Sequence, residues 1–383
     1  MNKVLFISHS SNIGGATRSI MYLAKHTSGS LLLVPKGGPV IDLYKKESIN
    51  FGIQGFPELF YSTYERVTPF GICRLLAHLP RILALRRYVE QGYNILHFNE
   101  IVFAPSVLLA RWVFGNRIKI VTHARVTMPV YRLGWSRKIF LWMLKRSDGI
   151  IAIGQNEMEP FREFPITATM TNPVDFGDYR PHFSKTDIHH LRFHIPKEHL
   201  VIGSFAQMHM GKGQDFLIEC FRRLRPQKCS LVLFGSGPME NELKSLVQAE
   251  GLAGIIHFAG QTNEVFSMME GCDFIARAES FGFLGRDIIE ANSLGVPILT
   301  SLASGYENGD LFLDGYNGYS FLPGNTESFS VAFEKMLATY HDLRGRTAKD
   351  RRGFTLASEY ASKVESFYNR LLENGACGQE AHG

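Results

Sequence analysis

Lys212 lies between two glycines in Phe205–Gly213 (FAQMHMGKG). An ammonium carried by a glycine turn at the end of a strand can reach a diphosphate as a point charge. Ala278–Pro297 (AESFGFLGRDIIEANSLGVP) supplies complementary groups. There Glu279 ends a strand, a loop runs from Gly282 through Phe283 and Leu284 to Gly285, and Glu290 rides the next helix. Loop amides and the positive end of that helix can hold phosphate oxygens. The two carboxylates can accept hydroxyl hydrogens from rings on either side. A sugar, a diphosphate and a ribose, joined in that order as in a nucleotide sugar, present matching groups. Taken singly, each residue has a plainer reading: a solvated lysine, a turn glutamate, a glutamate on a wet helix face.

Ser8–Arg18 (SHSSNIGGATR) places Gly14 and Gly15 between a first strand and a helix. Backbone N–H groups there point outward at a positive helix end and suit an anion; an ordinary tight turn is the simpler alternative. The spacing is not Gly-x-Gly-x-x-Gly, which disfavours a nicotinamide dehydrogenase, and the Lys212 segment is not a Walker sequence. His123 follows an apolar run at 118–122, and Asn99 and Glu100 end the neighbouring run Ile95–Phe98. Arg18 and Asn99 are acceptor-side candidates. No Asp-x-Asp pair occurs, so neither a metal-clamped diphosphate nor any cofactor is expected. Charge on a leaving diphosphate then falls to Lys212, loop amides and helix dipoles.

These residues need strands and helices to hold them. Apolar runs alternate with amphipathic stretches from Val4 to Ile153, pause, and resume from Val201 to Thr300, which predicts α/β architecture with parallel sheets. Residues 165–200 hold four prolines and little periodicity and read as a linker. The expected organisation is two tandem doubly wound, Rossmann-like domains, 1–180 and 181–355, facing across a cleft. A last amphipathic helix is expected over 356–373. The stretch 74–90 reads as a helix interrupted at Pro80. Backbone near Gly235–Pro238 and Gly260–Thr262 is the expected base pocket.

The chain has 383 residues, 45% hydrophobic and 20% charged. This is a globular composition and excludes a disordered chain. Five scattered cysteines without a Cys-x-x-Cys pair argue against a disulfide framework and for a reducing compartment. No apolar run reaches membrane-spanning length, and the expected location is cytoplasmic, or the inner face of a membrane. Residues 1–180 hold 22 Lys and Arg against 12 Asp and Glu, although the net charge of the whole chain is only +5. Basic stretches 74–90 and 131–147 mix Arg and Lys with Leu, Trp and Phe, so a peripheral contact with anionic lipid is the expected use of that half. No recognition signature supports nucleic acid.

In order and spacing, these motifs resemble the retaining glycosyltransferases of family 4, which have the GT-B fold. The resemblance runs through GGATRSIMYLA (14–24), VTHARV (121–126), SDGIIAIGQNEM (147–158), TNPVD (171–175), FAQMHMGKG, the Glu279–Glu290 segment and GYENGDLFLDGYNGYSF (305–321). It implies that the second domain binds a nucleoside-diphosphate sugar and that the first receives a glycan or lipid-linked acceptor. It implies that the final helix crosses back to the first domain. It gives Lys212 the diphosphate, Glu279 the donor sugar, Glu290 the ribose and His123 the reacting centre. Same-face attack, with the departing phosphate taking the acceptor proton, would retain configuration. Two departures stand out. Ten residues separate Glu279 from Glu290 where the family has seven, and Gln207 occupies the place of a diphosphate-pairing arginine, for which Arg277 or Arg286 can compensate. Asp287 falls at the family spacing, but the surrounding motif assigns the role to Glu290. A non-catalytic nucleotide- or glycan-binding subunit of the same fold is the alternative.

Overall fold

Successive side chains of β1 (Val4–Ile7) enter two different cores. Val4 and Phe6 pack with Leu32, Val34 and Val121, whereas Leu5 and Ile7 pack with Leu33, Phe98 and Ile120. This is the two-residue period of a strand. Burial of both sets marks a parallel sheet covered on both faces. The computed structural model describes residues 2–55, 78–126, 134–177, 179–182, 186–282, 284–306, 311–350 and 353–377. The chain divides into two units, Met1–Asp175 with Thr355–Gly383, and Phe176–Phe354.

In the first unit, β1 is joined by β2 (Leu31–Val34), β3 (Phe51–Ile53), β4 (Ile95–Phe98), β5 (Lys119–Ala124), β6 (Gly149–Ala152) and β7 (Thr167–Thr169). The order is β3-β2-β1-β4-β5-β6-β7, parallel throughout. Helix α1 (Gly15–His26) covers one face; α2 (Ala104–Phe114) and α3 (Gly134–Leu144) lie side by side on the other. A two-residue strand, β8 (Pro173–Val174), ends this stretch.

The second unit repeats the plan with β9 (Leu200–Phe205), β10 (Cys229–Phe234), β11 (Ile256–Gly260), β12 (Phe274–Arg277), β13 (Ile298–Ser301) and β14 (Gly318–Phe321), in the parallel order β11-β10-β9-β12-β13-β14. Helix α4 (Gln214–Leu224) follows β9, α5 (Arg286–Leu294) follows β12, and α6 (Thr326–Lys349) follows β14. Strand order reverses between β9 and β12. These two strands pair at Ile202 with Phe274 and Gly203 with Ile275, and beyond that their carboxyl ends are paired with β10 and β13 and not with each other. Such a reversal opens a crevice at the carboxyl ends of the strands, where open α/β sheets bind ligands. The chain returns through β15 (Thr355–Leu356), which pairs with β8, into α7 (Ala357–Cys377). Helix α7 packs beside α1, and its Tyr360, Val364, Phe367 and Leu371 enter the same core, Phe367 and Leu371 lying against Gly149 of β6.

Some elements differ from the sequence reading. The stretch read as a linker contains β7, β8 and a helix at Ile188–Phe193, whose buried residues are His189 and His190, with Ile188 and Phe193 packed on the core beside them. Residues 78–84 are helical through Pro80, the break falls at Leu85 and a short helix follows at Arg86–Glu90; residues 74–77 lie outside the described residues. The helix after β14 runs on to Lys349, because Leu343 and Thr347 continue its buried face.

Candidate functional site

The Lys212 loop leaves β9 at the crevice and is seated on backbone that only glycine allows. Gly235 has φ +120°, and a Cβ there would overlap the carbonyl of Ala206; a Cβ at Gly237 would overlap that of Met208. Met208 N donates to Ser236 O at 3.0 Å, and Gly235 N to Gly260 O at 2.8 Å. At the far end Gly213 has φ +84°, and a Cβ would overlap the carbonyl of Ala278. Ser280 N donates to Gly211 O at 2.9 Å. Direct backbone packing thus holds the loop of Lys212 against the loop of Glu279.

Their side chains meet. Lys212 Nζ is 2.8 Å from Glu279 Oε1. On the opposite side Arg277 pairs with Glu279 Oε2 and, at 2.8 Å, with Asp287 Oδ1. Ser301 Oγ donates to the Glu279 carbonyl at 2.8 Å. Burial pushes the Glu279 carboxyl up, but the Arg277 guanidinium and the Lys212 ammonium outweigh it and hold the group below the usual carboxylate range. Burial works against the charge on Arg277, and Asp287 and Glu279 override it, so the guanidinium stays charged. The cluster therefore presents a fixed carboxylate and a half-exposed ammonium side by side.

The following loop differs from its expected role in one respect. Gly282 adopts φ +63° with its N–H donated to the Glu279 carbonyl at 3.0 Å, and its own carbonyl accepts from Ala303 N. That amide closes a turn and does not face a ligand. Phe283 lies outside the described residues. Leu284 packs its side chain on the core. Gly285 caps α5, and a Cβ there would strike the Arg277 guanidinium and Asp287 Oδ1. The first-turn amides of α5, at the positive end of that helix, are the groups of this segment with the chemistry to take an anion. Glu290 is buried and paired with Arg286 at 2.7 Å. Gln207 has an exposed side chain, and its carbonyl accepts from Gln214 Nε2 at 3.2 Å.

The expected first-unit residues form a second polar group, at the carboxyl ends of β1, β4 and β5. Gly14 N–H is taken by Thr17 Oγ1 at 2.8 Å, which leaves Gly15 as the outward amide of that pair. Arg18 is half-buried on α1. Asn99 is buried, donates to Ala16 O at 3.2 Å and accepts from Arg125 Nε at 2.7 Å. His123 is fully buried. Its Nδ1 lies 3.2 Å from His97 Nε2 and 3.4 Å from Arg125 Nη2, and its Nε2 lies 3.4 Å from Tyr360 Oη. His97 Nδ1 lies 2.6 Å from Tyr368 Oη. Arginine only donates, so His123 Nδ1 accepts and His123 Nε2–H donates to Tyr360; His97 Nε2–H donates to His123 and its Nδ1 accepts from Tyr368. Burial, then the Arg125 charge, lowers His97 to about 3 and His123 well below its ordinary value, so both are neutral. The described geometry therefore gives His123 no open face; the imidazole ties β5 to β4 and α7.

Sequence reasoning passed over His97, Arg125 and Asn172, which accepts from Arg125 Nη1 at 2.6 Å and from Ser19 Oγ at 3.0 Å. The available signal was positional: Arg125 stands two residues after His123 at the end of the same strand. Among the described residues no group of three His, Cys, Asp or Glu could hold a metal ion, and no helix is long and apolar enough to cross a membrane.

Comparison with known proteins follows this geometry. Residues 186–352 match the family model described as glycosyl transferases group 1. The O-antigen biosynthesis glycosyltransferase WclY of Escherichia coli is 25% identical over 220 residues, which are 55% of this chain and 61% of that protein. The lipopolysaccharide core biosynthesis glycosyltransferase LpsE of Rhizobium meliloti is 28% identical over 178 residues, 46% of this chain and 51% of that protein. The match thus spans about half to three-fifths of these relatives' length. Among solved structures, Anabaena Alr3699/HepE in complex with UDP and glucose superposes with a TM-score of 0.73 at 19% identity, covering 98% of this chain and 100% of that one. This chain has the same α/β fold of two Rossmann-like domains.

Proposed function

We propose that this chain is a retaining, metal-independent glycosyltransferase of family 4. In this reading it moves a sugar from a nucleoside-diphosphate sugar to a glycan or lipid-linked acceptor, in cell-surface polysaccharide or glycoconjugate synthesis. The observation that carries the reading is the Lys212–Glu279 pair at the strand-order reversal of the second sheet. The group 1 match over the same unit supports it, as do relatives named for O-antigen and lipopolysaccharide synthesis and a neighbour solved with UDP and glucose.

In the proposed reaction the bond from the anomeric carbon to the diphosphate oxygen breaks, and the acceptor oxygen bonds to that carbon on the same face. The acceptor proton passes to the departing phosphate. Negative charge gathers on the diphosphate as the bond stretches. Lys212 and the first-turn amides of α5 stabilise that charge more in the transition state than before it, which lowers the barrier. Glu279, fixed from behind by Arg277, accepts hydroxyl hydrogens of the donor sugar, and Glu290 those of the ribose. The neutral side chain of Gln207 adds no charge. That absence is the observation favouring the second reading, a non-catalytic nucleotide- or glycan-binding subunit. Turnover assays with UDP-, GDP- and ADP-sugars separate the two. An enzyme releases nucleoside diphosphate and loses this on Glu279→Ala, whereas a subunit binds without turnover.

The first unit carries the proposed membrane contact. Between Glu100 and Asp148 the sequence holds nine Lys and Arg and no Asp or Glu. On the outer faces of α2 and α3, Trp112, Trp142 and Ile139 are 74%, 49% and 45% exposed, beside exposed Lys138, Lys145 and Arg146. Arg111 Nε donates to Arg146 O at 3.2 Å, which brings the two helix ends together, and the Arg146 guanidinium sits 5.4 Å from the Trp142 ring. Indole rings at the headgroup level with cations around them fit an anionic bilayer surface.

A further inference from the structure

Glu279 does not hold its position alone. Arg277, the last residue of β12, is buried and bridges two acids: its guanidinium pairs with Glu279 Oε2 through one nitrogen and with Asp287 Oδ1, at 2.8 Å, through the other. The two oxygens of Glu279 are thereby distinguished. Oε2 is held inside by Arg277, whereas Oε1 lies 2.8 Å from the half-exposed Lys212. Asp287, in the first turn of α5, is itself buried. Gly285 passes directly over this bridge, since a Cβ there would meet the Arg277 guanidinium and Asp287 Oδ1. The guanidinium is therefore the floor beneath the loop backbone as well as the clamp on the carboxylate. A planar fork serves the two acids through separate nitrogens in a fixed geometry, which the single nitrogen of a lysine does not reproduce.

We propose that Arg277 is a positioning residue for the donor sugar. It fixes Glu279 so that Oε1 and Lys212 face a sugar diphosphate together, and Asp287 holds the guanidinium in place for that task. This rests on the glycosyltransferase reading. Gly285, one of the residues that lengthen the spacing between Glu279 and Glu290, lies against the Arg277–Asp287 bridge. Arg277 meets the donor only through Glu279, so its effect belongs to the sugar and not to the nucleotide.

Isothermal titration of UDP, UDP-glucose, GDP and GDP-mannose into wild type, Arg277→Lys, Arg277→Met and Asp287→Asn tests the assignment. Wild type binds one sugar nucleotide more tightly than its parent nucleotide. The variants lose that margin, by about tenfold or more for the sugar nucleotide, while the bare nucleotide changes little; small displacements of a positioning group have effects of this size or larger. A melting curve for each variant reports folding, and Arg277→Lys and Asp287→Asn carry the test if Arg277→Met does not fold. Folded variants that keep the full margin overturn the positioning role and leave the function standing. A wild type that binds none of the four, nor ADP or ADP-glucose, overturns the functional reading and this inference with it.

Discussion

Lys212 and Glu279 form an ion pair that one half-exposed partner keeps accessible, and each residue has a distinct expected effect. In the proposed reaction Lys212→Ala removes the cation that meets the leaving diphosphate. It lowers kcat by about 10²–10³, read by nucleoside diphosphate release, with a smaller effect on melting temperature. Glu279 has a second consequence, for stability against pH. Its folded value lies below the ordinary 4.5, so its contribution is present above that pH and is lost as the pH falls through the folded value. Glu279→Gln flattens the acid limb of the stability curve below about pH 4.5. The buried imidazoles act at higher pH. His97 is lowered to about 3 from 6.5, so the unfolded chain takes up a proton that the folded chain refuses. Stability is full above about pH 6.5 and falls by up to about 1.4 kcal/mol per pH unit below it. Urea unfolding of wild type and His97→Gln between pH 7.5 and 5 shows the slope in the first and a shallower one in the second; equal slopes contradict the assignment of neutral imidazoles.

Elements position these residues through glycines whose demands can be compared. Gly213→Ala places a side chain at φ +84° and into the Ala278 carbonyl, which separates the two loops of the site. Both melting temperature and nucleotide affinity fall. Gly345, inside α6, has open space around it, so Gly345→Ala raises stability by about 0.5–1 kcal/mol with no effect on binding. Much of this scaffold was legible in the chain. Runs such as Val4–Ile7 and Phe274–Ala276 are apolar on both faces, as central parallel strands covered by helices are. The glycine spacing around Lys212 announced a loop at a strand end. Other features left no such trace. β3 and β7 have three residues each, too few to establish a period. The short pairing of β8 with β15 joins segments far apart in sequence. The bridge from Arg277 to Asp287 could not be read from spacing, because a carboxylate eight residues beyond Glu279 looks the same whether it meets a ligand or an arginine. The closed environment of His123 depends on Tyr360 and Tyr368, contributed by a helix that begins more than 200 residues later.

At the scale of the whole molecule, charge and chemistry are divided between the two units. The first carries the basic surface with exposed tryptophans; the second carries the candidate donor groups. Under the proposed membrane contact, sedimentation with vesicles of phosphatidylglycerol and phosphatidylcholine is expected to recover the protein, phosphatidylcholine alone is not, and binding is expected to weaken as salt rises. Trp112→Ala with Trp142→Ala reduces recovery without altering nucleotide affinity, because neither residue belongs to the second unit. Recovery that ignores both salt and these substitutions rules out this surface. The central claim concerns the second unit: a lysine and a glutamate at the reversal between β9 and β12 hold a sugar diphosphate. Thermal melting of wild type and Lys212→Ala with UDP, GDP, ADP and their sugars addresses it most directly. A ligand at a hundred times its dissociation constant stabilises wild type by about 2.7 kcal/mol, and the account predicts such a shift with one nucleotide family and its loss in Lys212→Ala. An equal shift in both proteins, or none with any of these ligands, contradicts it.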